Sequence, residues 1–281
     1  MTLFTPGLGH VGLGLRREFL APLLAEDDKA RLPDFLEIAP ENWMGFGGRY
    51  ARDLRQVSER FPMACHGLSL NIGGFAPLDQ DFLKSLREFL DLHQVLIYSE
   101  HLSYTGDDGH LYDLLPLPMT RESADHVIAR VMQVQDILGR RLVLENVSTY
   151  AQPGMEMTEP EFLDYISSGA DCELLLDINN VHVNCINHGQ DPQGWLAGFP
   201  TGRIRYGHVA GHFVERADLC IDTHGAPVAD SVWQLLASSY ESCGVYPTVL
   251  ERDFNIPPLH ELLDEVFVLR SLQVKVTEHA A

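Results

Sequence analysis

Basic residues are scarce in this 281-residue sequence: Lys and Arg total 20 against 40 Asp and Glu, for a formal net charge of -20. Such a field repels phosphate backbones, so no nucleic acid partner is expected. Long apolar runs are missing as well. No uncharged stretch approaches the ~20 residues that a bilayer-spanning helix requires, and the opening residues lack the basic-then-apolar pattern of an export signal. No membrane partner is therefore expected, and the cytoplasm is the expected location. Cysteine is limited to five residues, an odd number with no CxxC spacing, which argues for free thiols over a disulfide framework or a thiolate metal site. No linker, repeat or low-complexity tract marks a boundary, and a hydrophobic content of 45% is ample for one large core, so residues 1–281 are read as a single domain.

What is present is an alternation of strand-like and helical runs. The strand-like runs are VGLGLR (11–16), FLEIAPEN (35–42), ACHGLSLNI (64–72), VLIYSEHLSY (95–104), RLVLENVS (141–148), ELLLDINNVHVN (173–184), IRYGHVAG (204–211) and PTVLERD (247–253). Segments 49–61, 81–93, 121–138, 159–168, 231–242 and 259–272 space their apolar residues as amphipathic helices do. Eight strand–helix units in this length predict an α/β fold of the closed (β/α)8 TIM-barrel type. The unit between the sixth and seventh strands is the weakest, because 196–201 is short for a helix. Long segments (105–120, 184–192 and 211–229) follow strands, on the side where barrels place their chemistry, and 105–120 with 184–191 is the expected substrate groove.

From the third strand onward, nearly every strand ends in a side chain able to bind metal: His66, His101, Glu145, Asp177, His208 and Glu251. Buried charge without a partner is costly, and a shared cation removes that cost. Asp222 and His224, in IDTHG, add two more candidates at a spacing that lets both face one ion in an extended segment. Asn146, Asn179 and Asn180 follow the acids and read either as hydrogen-bonding supports or as strand-end turn formers. His93, His126, His260 and His279 fall on helices or the tail and read as surface residues. Mixed imidazole and carboxylate ligation suits iron, manganese or zinc. A single hydrolytic ion would use about half of these residues, so two or three metals are expected.

The motifs CHGLSLNIGG, SEHLSYTG with DLLPLP, LENVSTY, LLLDINNVHVNCINHG, HVAGH, IDTHGAPV and PTVLERDFNIPP resemble the family catalogued as UPF0276, the multinuclear non-haem iron-dependent oxidative enzymes, from about residue 12 to 272. The resemblance implies a xylose-isomerase-like barrel with one iron at His66, His101 and Glu145. Glu145 would bridge to a second iron held by Asp177, His208 and Glu251. A third site would use Asp222 and His224 with the residue three after Asp177, here Asn180, a weaker ligand than the expected His; His182 and His188 are possible substitutes. Glu145, Asp177 and His208 are the implied catalytic residues. Arg252 stands where the family pattern leads one to expect a bulky apolar residue.

The implied activity is oxidation of a cysteine in a ribosomally synthesised precursor peptide, with O2 as co-substrate and a small leader-binding partner protein. A mixed Fe(II)/Fe(III) pair would bind the thiolate at one iron, activate O2 at the other and abstract hydrogen from the cysteine Cβ. Three other readings of the same residues are a metal-dependent barrel hydrolase or endonuclease, a sugar isomerase, and a non-catalytic metal-binding scaffold.

Overall fold

The computed structural model describes residues 10–106 and 109–279. Short runs of large apolar residues form β1 (Val11–Gly14), β2 (Phe35–Ile38), β3 (Met63–Gly67), β4 (Ile97–His101), β5 (Val143–Glu145), β6 (Glu173–Asp177), β7 (Ile204–Val209) and β8 (Thr248–Leu250). These strands are parallel in chain order, and β8 pairs back onto β1 to close the barrel. Around it lie α1 (Arg17–Ala25), α2 (Gly48–Arg60), α3 (Gln80–Leu92), α4 (Arg121–Leu138), α5 (Glu159–Ala170), α6 (Ile178–His188), α7 (Pro192–Gly198), α8 (Asp230–Cys243) and α9 (Leu259–His279). The predicted (β/α)8 barrel is therefore the fold observed. Among the described residues, no helix is long and apolar enough to cross a membrane. All five cysteines are free, and four of them are buried.

Three local expectations change. The sixth strand was expected to run over 173–184, but it ends at Asp177 and the chain turns directly into α6. Asp177 is the cause: its Oδ1 accepts the backbone N–H of Asn180 at 2.7 Å, an N-cap that starts a helix where the Val–His–Val alternation suggested continued extension. The weakest predicted unit, between the sixth and seventh strands, is filled by two helices, α6 and α7. An additional helix, α1, follows β1 despite an internal proline, Pro22.

The barrel interior is built on the two-residue period of its strands. Phe35, Ala64, Ile97, Val143, Leu175, Tyr206 and Val249 form a buried apolar cluster distinct from the main core between barrel and helices. Gly12 supplies no side chain, and the Phe35 ring fills the space: a Cβ on Gly12 would lie 2.5 Å from its Cζ. Two residues beyond each apolar position comes Glu37, His66, Ser99, Glu145, Asp177, His208 or Glu251. A polar layer thus rests on an apolar floor at the C-terminal mouth. Above it, the long loops form antiparallel hairpins, Tyr104–Gly106 with His110–Leu115 and Phe213–Arg216 with Leu219–Ile221; residues 107–108 of the predicted groove segment lie outside the described residues.

Gly211 lets the β7 loop pass against the backbone of 226–227. A Cβ there would collide with the Ala226 carbonyl oxygen and lie 2.6 Å from that of Pro227, and neither atom can rotate away. Gly211→Ala is expected to lower stability by about 1–3 kcal/mol, read as a reduced urea midpoint; an unchanged midpoint would contradict this packing.

Candidate metal centre

Strand register brings the ionisable residues together. His101 pairs with Glu145 across β4 and β5, Asp177 with His208 across β6 and β7, and His66 lies beside Ser99. Three groups of potential ligands result: His66, His101 and Glu145; Glu145, Asp177 and His208; and Asp177, His224 and Glu251. Consecutive groups share Glu145 and then Asp177, so they form one continuous cluster.

The first group is the tightest. His66 Nε2 lies 3.0 Å from both His101 Nε2 and Glu145 Oε2, and His101 Nε2 is 3.4 Å from the same oxygen. In the second, His208 Nδ1 approaches Glu251 Oε2 at 3.2 Å, Asp177 Oδ2 at 3.8 Å and Glu145 Oε1 at 3.9 Å. Glu145 Oε2, Asp177 Oδ2 and His208 Nδ1 are buried and make no hydrogen bond. Buried polar atoms without partners are costly, and these orphaned atoms converge as metal ligands do. The donor set of imidazole nitrogens and carboxylate oxygens fits iron, manganese or zinc.

The loop carrying the last ligands is held differently from the expectation. His224, at φ +47°, places Nε2 2.7 Å from Asp222 Oδ1 and Nδ1 3.3 Å from both Glu251 Oε2 and Asp253 Oδ2. A histidine in the left-handed region is uncommon and marks a conformation imposed by its surroundings. Asp222 stands beside the third group and contacts His224. Asn180 points elsewhere: its Nδ2 donates to Glu145 Oε1 at 3.2 Å and to the Asn146 carbonyl at 3.0 Å. Neither suggested substitute joins the three groups, since His182 contacts Ser231 and His188 contacts Thr149.

The three asparagines act as supports. Asn146 exchanges hydrogen bonds with the backbone of Asp177 at 2.9 and 3.0 Å, Asn179 donates to Asp222 Oδ1 at 2.8 Å, and Asn180 holds Glu145. Arg252 is buried and pairs at 2.6 Å with Glu265, whose other oxygen accepts the Val228 N–H, so it ties β8 to α9 and the β7 loop. Arg16, two residues beyond β1, reaches over the mouth to Glu251 at 3.6 Å and to Asp253. His93 and His126, read as surface residues, are half-buried and bond to Ser58 and the Gly74 carbonyl.

Sequence reasoning missed Glu37, which is 3% exposed. Its Oε1 lies 2.8 Å from His208 Nε2, and its Oε2 accepts the Tyr206 hydroxyl at 2.6 Å. Tyr206 in turn meets Ser99 Oγ at 2.6 Å, and Ser99 meets His66 Nδ1 at 2.7 Å. The proton directions in this chain follow from counting. Tyr206 gives its hydrogen to Glu37 and so accepts from Ser99; Ser99, having donated its own, must accept from His66 Nδ1–H. His66 therefore keeps its Nδ1 proton, and the proton it can give up is the one on Nε2, which faces Glu145. Its signal was present in the sequence, since Glu37 follows Phe35 by the same two-residue step that places the other inward polar residues.

The electrostatics of the cluster follow its geometry. Burial opposes a proton on His66, but the Glu145 carboxylate and then Glu37 outweigh it and lift the group to about 9. Burial and the neighbouring His66 push His101 down to about 4, whereas burial and the Glu145 charge push Asp177 up to about 8. Despite burial, His224 rises to about 10 beside Asp222 and Glu251, and His208 rises between Glu37 and Glu251. Protons therefore sit on atoms that a bound metal would contact. At pH 7, loading is expected to release protons from His66, Asp177, His208 and His224, and affinity should increase as pH rises toward 9–10. Calorimetric titration in buffers of different ionisation enthalpy reads the proton count; an enthalpy independent of buffer would contradict it. Tyr206→Phe, which cuts the link between Glu37 and Ser99, should weaken metal binding by about 10–100-fold in competition with a chromophoric chelator, and unchanged affinity would remove Tyr206 from this role.

The sequence and the fold both have counterparts among known proteins. The chain is 56% identical over 262 residues to the UPF0276 protein of Shewanella amazonensis, covering 93% of this chain and 94% of that protein. In fold it resembles a xylose isomerase domain-containing protein from Salmonella typhimurium (TM-score 0.63, 10% identity, 94% of this chain and 97% of that one). It also resembles endonuclease IV from Thermus thermophilus (TM-score 0.59, 16% identity, 95% and 100%). At such identities these two likenesses speak to the xylose-isomerase-like barrel alone. The family model of the RiPP precursor modification enzymes MbnB/TglH/ChrH matches residues 10–274, and the chain belongs to that family.

Proposed function

We propose that this chain is an iron-dependent oxidative enzyme that uses O2 to modify cysteine residues of a ribosomally synthesised precursor peptide. Family membership supports precursor modification. The observation that carries the metal-dependent part is the convergence of His66 Nε2, His101 Nε2 and Glu145 Oε2 within 3.0–3.4 Å, continued through the shared Glu145 and Asp177 into two further groups. In this reading, His66, His101 and Glu145 hold one iron; Glu145, Asp177, His208 and Glu251 hold a second; and His224 with Asp222 belongs to a third, looser position, to which Asn180 offers at most an oxygen. Bound iron in mixed Fe(II)/Fe(III) states would supply one-electron redox chemistry and open positions for a thiolate and O2.

The chain's own groups define the rest. Glu145 places its two oxygens toward different groups, and Asn180 orients it. Asp177 commits Oδ1 to the N-terminus of α6 and leaves Oδ2 for the cluster. Glu37, Tyr206 and Ser99 keep His66 and His208 oriented without exposing them to water. Around the mouth, Phe75, Tyr150, Phe213 and Phe254 are between 51% and 81% exposed, each in a loop after a barrel strand, and give a peptide an apolar rim. A small leader-binding protein would present the precursor there, with residues 1–281 acting as one unit in the cytoplasm.

Anaerobic reconstitution is expected to give at least two irons per chain, and Glu145→Ala, which removes the shared carboxylate, should lose most of that iron. Oxygen uptake should require a cysteine-containing precursor and vanish when the cysteine is serine. One iron per chain at most, or unchanged iron content in Glu145→Ala, would overturn the proposal.

A further inference from the structure

A cavity of about 490 Å³ lies outside the metal cluster, between the loop after β5, the start of α5 and the α6–α7 corner. Met119, Met155 and Pro160 form apolar walls, and no lysine or arginine lines it. Three carboxylates do: Glu159, Glu161 and Asp191. Two are committed to helix ends. Glu161 closes the capping box of α5 on Thr158, and Asp191 caps α7 through the N–H groups of Gln193 and Gly194. Glu159 is different: the Trp195 indole N–H donates to its Oε2 at 3.0 Å, and among the described residues no basic side chain pairs with it. Burial raises its carboxyl to about 7, against the bonds from Trp195 and Asn184.

One helix, α6, runs from the candidate metal centre to the cavity. Asp177 caps the start of α6, and Asn180, Asn184 and His188 follow at four-residue steps along one helical face. Asn180 touches Glu145, whereas Asn184 and His188 line the cavity. The eight residue steps from Asn180 to His188 rise about 12 Å along this helix.

We propose that this cavity anchors a lysine or arginine side chain of the precursor peptide, its stem against the apolar walls and its cation on Glu159. The peptide as source of the cation rests on the function proposed above; the affinity of the cavity for a cationic side chain does not.

The test uses the metal-free full chain and capped amino-acid amides. The N-acetyl methylamides of lysine and arginine are expected to shift the Trp195 indole N–H resonance saturably, with the resonance assigned through Trp195→Phe, and the norleucine counterpart should not. Glu159→Gln, which can keep the Trp195 bond, should weaken binding at least ten-fold with its melting curve unchanged. If that variant misfolds, the lysine–norleucine comparison on the natural chain decides alone. No indole shift with either cation, an equal shift with norleucine, or undiminished binding by a folded Glu159→Gln would each overturn the assignment. Cation binding by a chain that modifies no peptide would refute the proposed function and leave this site standing; peptide modification without an indole shift would do the reverse.

Discussion

Glu145 lies buried against two imidazoles, 3.0 Å from His66 and 3.4 Å from His101, and its other oxygen faces His208. Much of the mouth of the barrel is arranged around that contact. A carboxylate so placed needs positive charge beside it, because burying an uncompensated ion costs several kcal/mol. Beside Glu145 a proton on His66 supplies that charge, while His101 and the neighbouring Asp177 are forced neutral. The same geometry that makes this arrangement awkward for protons suits cations of higher charge. The orphaned oxygens and nitrogens are candidate ligands for such cations.

The supports show how a barrel keeps such a cluster from collapsing. Apolar residues two positions earlier on each strand form a dry floor, so the polar layer cannot sink inward. The chain from Glu37 through Tyr206 and Ser99 to His66 fixes the tautomer of one ligand, and Glu37 also backs His208. Two ligands in different groups thus share a single buried anchor. From above, Asn146, Asn179 and Asn180 set the positions of Asp177, Asp222 and Glu145. Orientation here comes from hydrogen bonds of fixed direction, as would suit a centre proposed to hold more than one ion.

Much of this was legible in the sequence because strand periodicity is local. A polar residue two steps past an inward apolar one recurs from His66 to Glu251, and the register of a parallel barrel brings those positions to one level. Glu37 obeyed the same rule but escaped notice, since its partner Tyr206 is 169 residues away and nothing near FLEI signals a buried acid. The turn into α6 was hidden by Val181 and Val183, whose alternation with polar residues mimics a strand; the capping bond of Asp177 outweighs it. Asn180 could be read as a possible ligand by position, but its orientation toward Glu145 depends on that helix. The cavity at Glu159 was legible only in part: Met119, Asn184, His188, Gln190 and Asp191 fall in the expected groove segments, whereas Glu159 and Trp195 join them only in the folded barrel.

Anomalous diffraction at the iron edge, on crystals grown from anaerobically reconstituted protein, tests the central claim most directly. The account predicts separate iron peaks on both sides of Glu145, one against His66 and His101 and one against Asp177, His208 and Glu251. A single peak, or iron bound away from Glu145, would contradict it.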